Sequence, residues 1–298
     1  MKKKFILPIV IRIEPSGLCN FRCQHCTVGI GLNKSAGIMS RQIFDLVFSK
    51  INIYRFKSAV LYHGGEPLIS KDLFYMIDKV ATISEFVKLN TNGSLMTDEI
   101  IEKILLSPLS RIEFSLDGSS VVENNNIRRG SDFLQISNQI IKLLKRKKEC
   151  GSKVEVVIHN IQVPSRNTDL KVIYSPNNIL EKFADWTDEI EIKSYYSYMW
   201  PEYPGRNKTK SKLIANFCDH IISTLTIRWN GDVVPCCYDL TSQSVMGNIL
   251  ESSLEKIWTN SKYNDLRSKI ENRTPPKLCQ NCFQIYEKQY LYKDQVNI

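Results

Sequence analysis

The chain has 298 residues, 43% of them hydrophobic and 24% charged, and 40 Lys and Arg against 31 Asp and Glu give a net charge of +9. That balance excludes a disordered chain, a collagen-like repeat and a coiled coil. A chain of this length buries roughly three quarters of its unfolded surface without disulfide staples, and no apolar run reaches the roughly 20 residues of a membrane-spanning helix.

Residues 1–13 join a basic tip to an apolar stretch, as a signal peptide does, but Pro8, Arg12 and Glu14 interrupt it and no small-residue cleavage site follows. The expectation is a strand with a Lys tail, in a cytoplasmic protein. Short β-branched runs predict strands at 7–14, 58–62, 86–92, 111–117, 153–161 and 189–195, with helical stretches between them. Ser40 is placed to cap a helix with Ile43, Leu46, Val47 and Ile51 on one face, and Thr97 to cap another opened by Asp98 and Glu99. A third helix runs from Asp132 to Lys148. Six βα units predict an α/β fold whose parallel sheet is open or curled into a partial barrel.

Period-two alternation sets Ile112, Phe114 and Leu116 against Glu113, Ser115 and Asp117, and Val154, Val156 and Ile158 against Glu155, Val157 and His159. Leu89 and Thr91 likewise oppose Lys88, Asn90 and Asn92, and Ile190 and Ile192 oppose Glu191, Lys193 and Tyr195. The apolar faces should carry the helices, which points polar groups inward. A closed barrel fills its interior with branched apolar residues, so this interior reads either as a ligand cavity or as a set of buried salt bridges.

Residues 196–216 read as a linker, with two prolines, a glycine and a basic stretch. A β-hairpin is expected at 224–229 and 232–236, with Asn230-Gly231 supplying two positive φ angles. A helix around 252–259 and a Cys-rich tail follow. The division is thus a barrel over 1–200 and a smaller domain over 201–298. The basic runs Lys2-Lys3-Lys4, Lys145-Arg146-Lys147-Lys148 and 206–212 carry no interleaved aromatics, so solvated faces are expected and a nucleic-acid partner is not.

Nine cysteines, most of them in tight clusters, make a poor disulfide framework and a good metal framework. Cys19, Cys23 and Cys26 form C-x3-C-x2-C after the first strand. Three thiolates, not four, leave one position of an iron–sulfur cube open. Zinc is the rival, and it takes a fourth ligand that His25, adjacent to Cys26, is badly placed to supply.

The segment Cys19-Asn20-Phe21-Arg22-Cys23-Gln24-His25-Cys26 resembles the signature of the radical S-adenosylmethionine (SAM) superfamily. Gly64-Gly65-Glu66-Pro67, Asn90-Thr91-Asn92-Gly93, Ser115-Leu116-Asp117-Gly118 and Ile127-Arg128-Arg129-Gly130 follow in the family's order. The resemblance covers roughly residues 8–195. It implies a partial (βα)6 TIM-like barrel in which Cys19, Cys23 and Cys26 hold three irons of a 4Fe-4S cluster and SAM chelates the fourth. It also implies that Gly64, Gly65 and Glu66 meet the methionine amino group, that His25 lies near adenine, and that Asn92 and Ser115 contact ribose or carboxylate.

Cys218-x12-Gly231-x4-Cys236, with Cys279-x2-Cys282, resembles the auxiliary-cluster domain SPASM in its shortened twitch form. The runs 245–249 and 254–258 resemble that family too, but no cysteine follows Cys282. The resemblance implies a small C-terminal β-hairpin/helix iron–sulfur domain with one cube fully ligated by Cys218, Cys236, Cys279 and Cys282. Cys237 is then a free thiol or an alternative ligand, and Cys150 reads as structural. The expected reaction is dehydrogenation of a small polar, sugar-like or aminocyclitol substrate, with flavodoxin or ferredoxin as electron donor. Related members epimerise sugars or peptides, with Cys237 the candidate hydrogen donor here, or cross-link peptides; residues 1–8 are too short for a leader-peptide recognition domain. A tRNA-modifying enzyme and a metalloprotein that never cleaves SAM are the remaining alternatives.

Overall fold

The computed structural model describes residues 7–162, 181–196, 212–280, 282 and 284–286. The Lys2-Lys3-Lys4 tail, nearly all of the expected linker and the side chain of Tyr195 lie outside the described residues. Six parallel strands stand side by side in chain order: β1 (Val10–Ile13), β2 (Phe56–Val60), β3 (Ser84–Thr91), β4 (Arg111–Ser115), β5 (Glu155–Gln162) and β6 (Ile190–Tyr196). Between the first five run α1 (Arg41–Ile51), α2 (Leu73–Ala81), α3 (Asp98–Leu106), α4 (Val121–Ile127) and α5 (Phe133–Cys150). Sequential parallel βα order is that of a TIM-like partial barrel.

Helix starts follow capping chemistry. Ser40, Thr97, Ser120 and Asp132 each accept a hydrogen bond from the amide three residues on. Gly151, with φ of 67°, ends α5 in the left-handed region that a Cβ disfavours. The expected inner face of α1 needs one correction, because Leu46 is 55% exposed. At 100° per residue, positions 43, 44, 47 and 51 share about 100° of arc and Leu46 falls outside it; Phe44, not Leu46, joins Val47 and Ile51 in the core.

The sheet divides its two faces as the alternation predicts. Leu89, Ile112, Phe114, Leu116, Val156 and Ile158 are buried in the apolar core. On the opposite face Glu113 stands 3.2 Å from Lys88 and 3.3 Å from His159, and Glu191 stands 3.1 Å from Lys193. Part of the polar interior is therefore an ion-pair network. The basic run on α5 is also paired, Arg146 with Glu102 and Glu149, and Lys147 with Glu189.

After α6 (Asp219–Ser223), β7 (Thr224–Ile227) lies parallel beside β1, and β8 (Asp232–Val234) and β9 (Gly247–Asn248) extend the sheet antiparallel. One nine-stranded sheet results, in the order β6-β5-β4-β3-β2-β1-β7-β8-β9. The hairpin turn differs from expectation. Gly231 alone has a positive φ, 85°, and its amide donates to Arg228 O, while Arg228 N donates to Asp232 O. Asn230 instead pairs its side chain with Asp232, so the loop is a glycine-bulged turn. Ser253 caps α7 (Leu254–Trp258), and α8 (Ser261–Glu271), absent from the sequence reading, packs Tyr263 against Trp258 at 4.9 Å.

Candidate functional site

The three N-terminal cysteines sit on the loop that leaves β1. This loop is pinned from several sides: Arg22 N donates to Arg129 O, Gln24 N to Ile127 O, and Glu66 N to Leu18 O. The run 127–130 thus acts as a clamp on the cysteine loop. A Cβ on Gly65 would lie 2.3 Å from Leu18 O and 2.4 Å from Ser16 O, and one on Gly29 would lie 2.5 Å from Cys23 O. Backbone passes so close at both points that only glycine fits.

Burial pushes the Cys23 thiol up to about 12, and burial likewise raises Cys19 and Cys26; Cys23 and Cys19 are raised further by other cysteines of the set, and Cys26 by Asp117. Phe21 N donates to Cys19 Sγ at 3.5 Å, and Asn92 Nδ2 stands 3.9 Å from the same sulfur. Buried thiols that repel one another as thiolates, yet face N–H donors, are suited to exchange their protons for metal. The donor set fits three corners of an iron–sulfur cube.

Around it, Glu66 is buried and fully engaged. Its Oε1 accepts from Thr91 Oγ1 (2.7 Å) and Leu68 N (3.0 Å), and its Oε2 from Asn92 N (2.7 Å). Gly64 N donates to Glu14 Oε1 at 2.9 Å. Asn92 holds Asn20 and Ser94 through its amide. His25 Nε2 lies 3.4 Å from Asp117 Oδ2, whose same oxygen is 2.6 Å from Arg128 Nε. Burial first, then Arg128, lowers the His25 pKa against the pull of Asp117. His25 is held neutral, and its Nδ1 is buried without a partner among the described residues, an orphan that fits a bound ligand. Ser115 stands apart, donating to Asn90 Oδ1 at 3.1 Å on the polar face.

The second cysteine set converges. Cys218, Cys236, Cys279 and Cys282 line one cavity, with Ile221, Leu266, Ile270, Leu278 and Ile285 among its apolar walls. Burial drives Cys279 to about 12 and raises Cys218 and Cys236 as well. Four thiols in an apolar pocket fit a fully ligated cube. Cys237 does not line this cavity. Its Sγ is 3.9 Å from His220 Nε2, and Arg12 and then His220 lower its pKa against the opposing effect of burial. Cys150 is exposed at the end of α5.

Several residues escaped the sequence reading. Arg128 was visible as part of a motif but not as the partner of Asp117. Glu14 and Arg228 form a buried ion pair at 3.1 Å across 214 residues of chain. Arg228 also reaches Ser35 O and Ser242 Oγ, and Trp229 N donates to Glu14 Oε2. This pair ties the hairpin to the Gly64 loop, and a lone Glu and a lone Arg carry no local signal of it.

Residues 13–170 match the model of the radical SAM superfamily, and residues 218–283 match SPASM, an iron–sulfur cluster-binding domain. The chain is 27% identical over 252 residues to a GTP 3',8-cyclase of Clostridium botulinum, covering 81% of this chain and 70% of that protein. It is 27% identical over 151 residues to the mycofactocin maturase MftC of Mycobacterium tuberculosis, covering 51% of this chain but 38% of that protein. The structure of BtrN with AdoMet and 2-DOIA superposes with a TM-score of 0.61 at 18% identity, covering 96% and 95% of the two chains. At that identity the likeness establishes the fold. No helix among the described residues is long and apolar enough to cross a membrane.

Proposed function

Since the chain belongs to the radical SAM superfamily and binds SAM, a 4Fe-4S cluster and auxiliary iron–sulfur through its two modules, we propose that it dehydrogenates a small polar substrate. In this reading Cys19, Cys23 and Cys26 hold the SAM-binding cube, and Cys218, Cys236, Cys279 and Cys282 hold the auxiliary one. When bound, these groups supply a 5'-deoxyadenosyl radical for hydrogen abstraction and an acceptor for the electron left on the substrate.

The protein's own residues do the rest. Glu66 and Glu14 fix the loop at 64–66 that would receive the methionine end of SAM, and Gly65 lets that loop lie against Leu18. His25, kept neutral beside Asp117 and Arg128, would offer its unpartnered Nδ1 to the adenine end. The polar sheet face, with Lys88, Asn90, Ser115 and His159, would position the substrate. Flavodoxin or ferredoxin would supply the starting electron.

The observation that carries this reading is the second cavity, where four cysteines meet and Cys237 is left outside. A fully ligated centre has no open position for SAM, which suits it to electron transfer. Epimerisation is the second reading, favoured by Cys237, which stands beside Arg12 of the polar face as a candidate hydrogen donor. Peptide modification is the third; MftC is named a maturase, and SuiB has been solved bound to a precursor peptide.

The test is isotopic. With candidate substrate deuterated at the reacting carbon, the label should appear in 5'-deoxyadenosine. Product formed in heavy water should gain no deuterium at that carbon, and a gain of one mass unit there rejects dehydrogenation.

A further inference from the structure

On the inward face of the sheet the carboxylates are taken. Glu113 is matched by Lys88 and His159, Asp117 by Arg128, Glu14 by Arg228 and Glu191 by Lys193. Arg12, on β1, is different. It is 8% exposed, and its Nε and Nη1 find no hydrogen-bond partner among the described residues. Cys237 hydrogen-bonds the guanidinium on one side, which leaves Nε and Nη1 open. Tyr62 lies to another, its ring centroid 5.6 Å from Arg12 Cζ and 5.6 Å from Lys88 Nζ, so two cations flank one ring.

Two neighbours share the deficit. Thr226 is the register partner of Arg12 across β1 and β7, on the same face, and its buried Oγ1 has no partner among the described residues. His63 Nε2 is spent on Asp239 O at 3.1 Å, while its buried Nδ1 also has no partner among the described residues. Leaving one buried polar atom without a hydrogen bond costs about 1–3 kcal/mol, and more for a charged group. A cluster of such atoms around a guanidinium is the arrangement of a site that a ligand completes.

We propose that Arg12, with Thr226 and Tyr62, receives an anionic group of the substrate, a carboxylate or a phosphate, and so anchors an acidic sugar-like molecule against the polar face. This deepens the reading under Proposed function and rests on it. Arg12 lies between the two cysteine centres in the fold: β1 leads into the Cys19 loop, and Cys237 adjoins Cys236 of the second cavity. A substrate held there by its anionic end would present its carbon skeleton along Asn90 and Ser115. An amine-rich cyclitol would bring like charge to Arg12 and Lys88 and find the carboxylates already paired.

The test uses the full chain, anaerobically reconstituted and saturated with SAM in the absence of reductant, so that the SAM carboxylate fills its own place. Gluconate, glucose 6-phosphate, glucose and glucosamine are titrated separately by calorimetry. At least one anionic sugar should bind about tenfold tighter than glucose or glucosamine, and the gluconate and phosphate arms tell which anion is preferred. Arg12→Met should abolish the preference, Arg12→Lys should keep part of it, and Thr226→Val should weaken it by a few fold. Iron content and far-ultraviolet circular dichroism equal to wild type establish that each variant is folded. Should Arg12→Met not fold, the wild-type ranking and Thr226→Val decide.

Anionic sugars that bind no tighter than glucose, including no binding at all, overturn the proposal, as does a folded Arg12→Met protein that keeps the preference. Failure of the parent reading looks different. Product formed in heavy water would then gain one mass unit at the reacting carbon, whatever the sugar titrations show.

Discussion

Replacing Arg228 by Met takes the cation from a buried pair and leaves Glu14 behind. Glu14 is fully buried and Arg228 2% exposed, with Nε 3.1 Å from Oε2. Removing one partner of such a pair costs about 3–5 kcal/mol, because the survivor keeps its desolvation and loses its counter-charge. Glu14 still accepts from Gly64 N at 2.9 Å and Trp229 N at 3.2 Å, which places the loss near the lower figure, about 3 kcal/mol. In a chain of this size 1 kcal/mol moves the melting temperature by about 2 °C. Anaerobic scanning fluorimetry of the reconstituted protein should therefore read a fall of about 6 °C. Adding Glu14→Gln should raise the melting temperature of Arg228→Met, since no unpaired charge is then buried. A single variant melting within about 1 °C of wild type, or a double variant that falls by the sum of its singles, refutes the argument.

Reconstituted wild-type protein should hold about eight irons and eight sulfides per chain; saturation at about four sinks the two-cluster assignment. Cys23→Ala should abolish 5'-deoxyadenosine formation, whereas Cys279→Ala should stop product formation but still cleave SAM; equal cleavage by both, followed by chromatography, contradicts the roles given to the two sets. Gly65→Ala puts a Cβ against two backbone carbonyls, and overpacking at about 1–3 kcal/mol should weaken SAM binding about tenfold by calorimetry; unchanged affinity would mean the loop yields. Burial holds His63 down to about 4, from 6.5. Between those values the unfolded chain binds a proton that the folded chain does not, so stability is lost as pH falls through that window. His63→Gln should flatten the fall of melting temperature between about pH 7 and pH 5, and an unaltered slope counts against the buried neutral ring.

Local features were legible because their cause is local. The cysteine triad, the caps at Ser40 and Thr97 and the alternation around Glu113 need only neighbours a few residues away, and the structure has each where the pattern puts it. The meeting of Cys218 with Cys236, Cys279 and Cys282 spans most of the C-terminal region and was legible through family resemblance, not spacing alone. What stayed hidden is long-range. No pattern in 224–227 says that it pairs with 10–13, and nothing marks Glu14 and Arg228 as partners. Leu46 was misplaced because three apolar neighbours sit close enough on the helical wheel to leave it no room inside. Asn230 was misread because an Asn-Gly pair serves two turn geometries, and the Asp232 side chain decides between them.

The pairing of β7 with β1 bears on whether the two modules are separable. Without β7–β9, β1 would become an edge, and its amides and carbonyls would lie open beside Ile11 and Ile13. A flat apolar edge of that kind recruits strands from other molecules. Excising residues 218–283 would therefore yield a sticky fragment, not a smaller barrel, and a foreign auxiliary module could be grafted here only if it brought a strand of matching register. Modularity in the family's domain models ends, for this chain, at the hydrogen bonds between Val10–Ile13 and Thr224–Ile227.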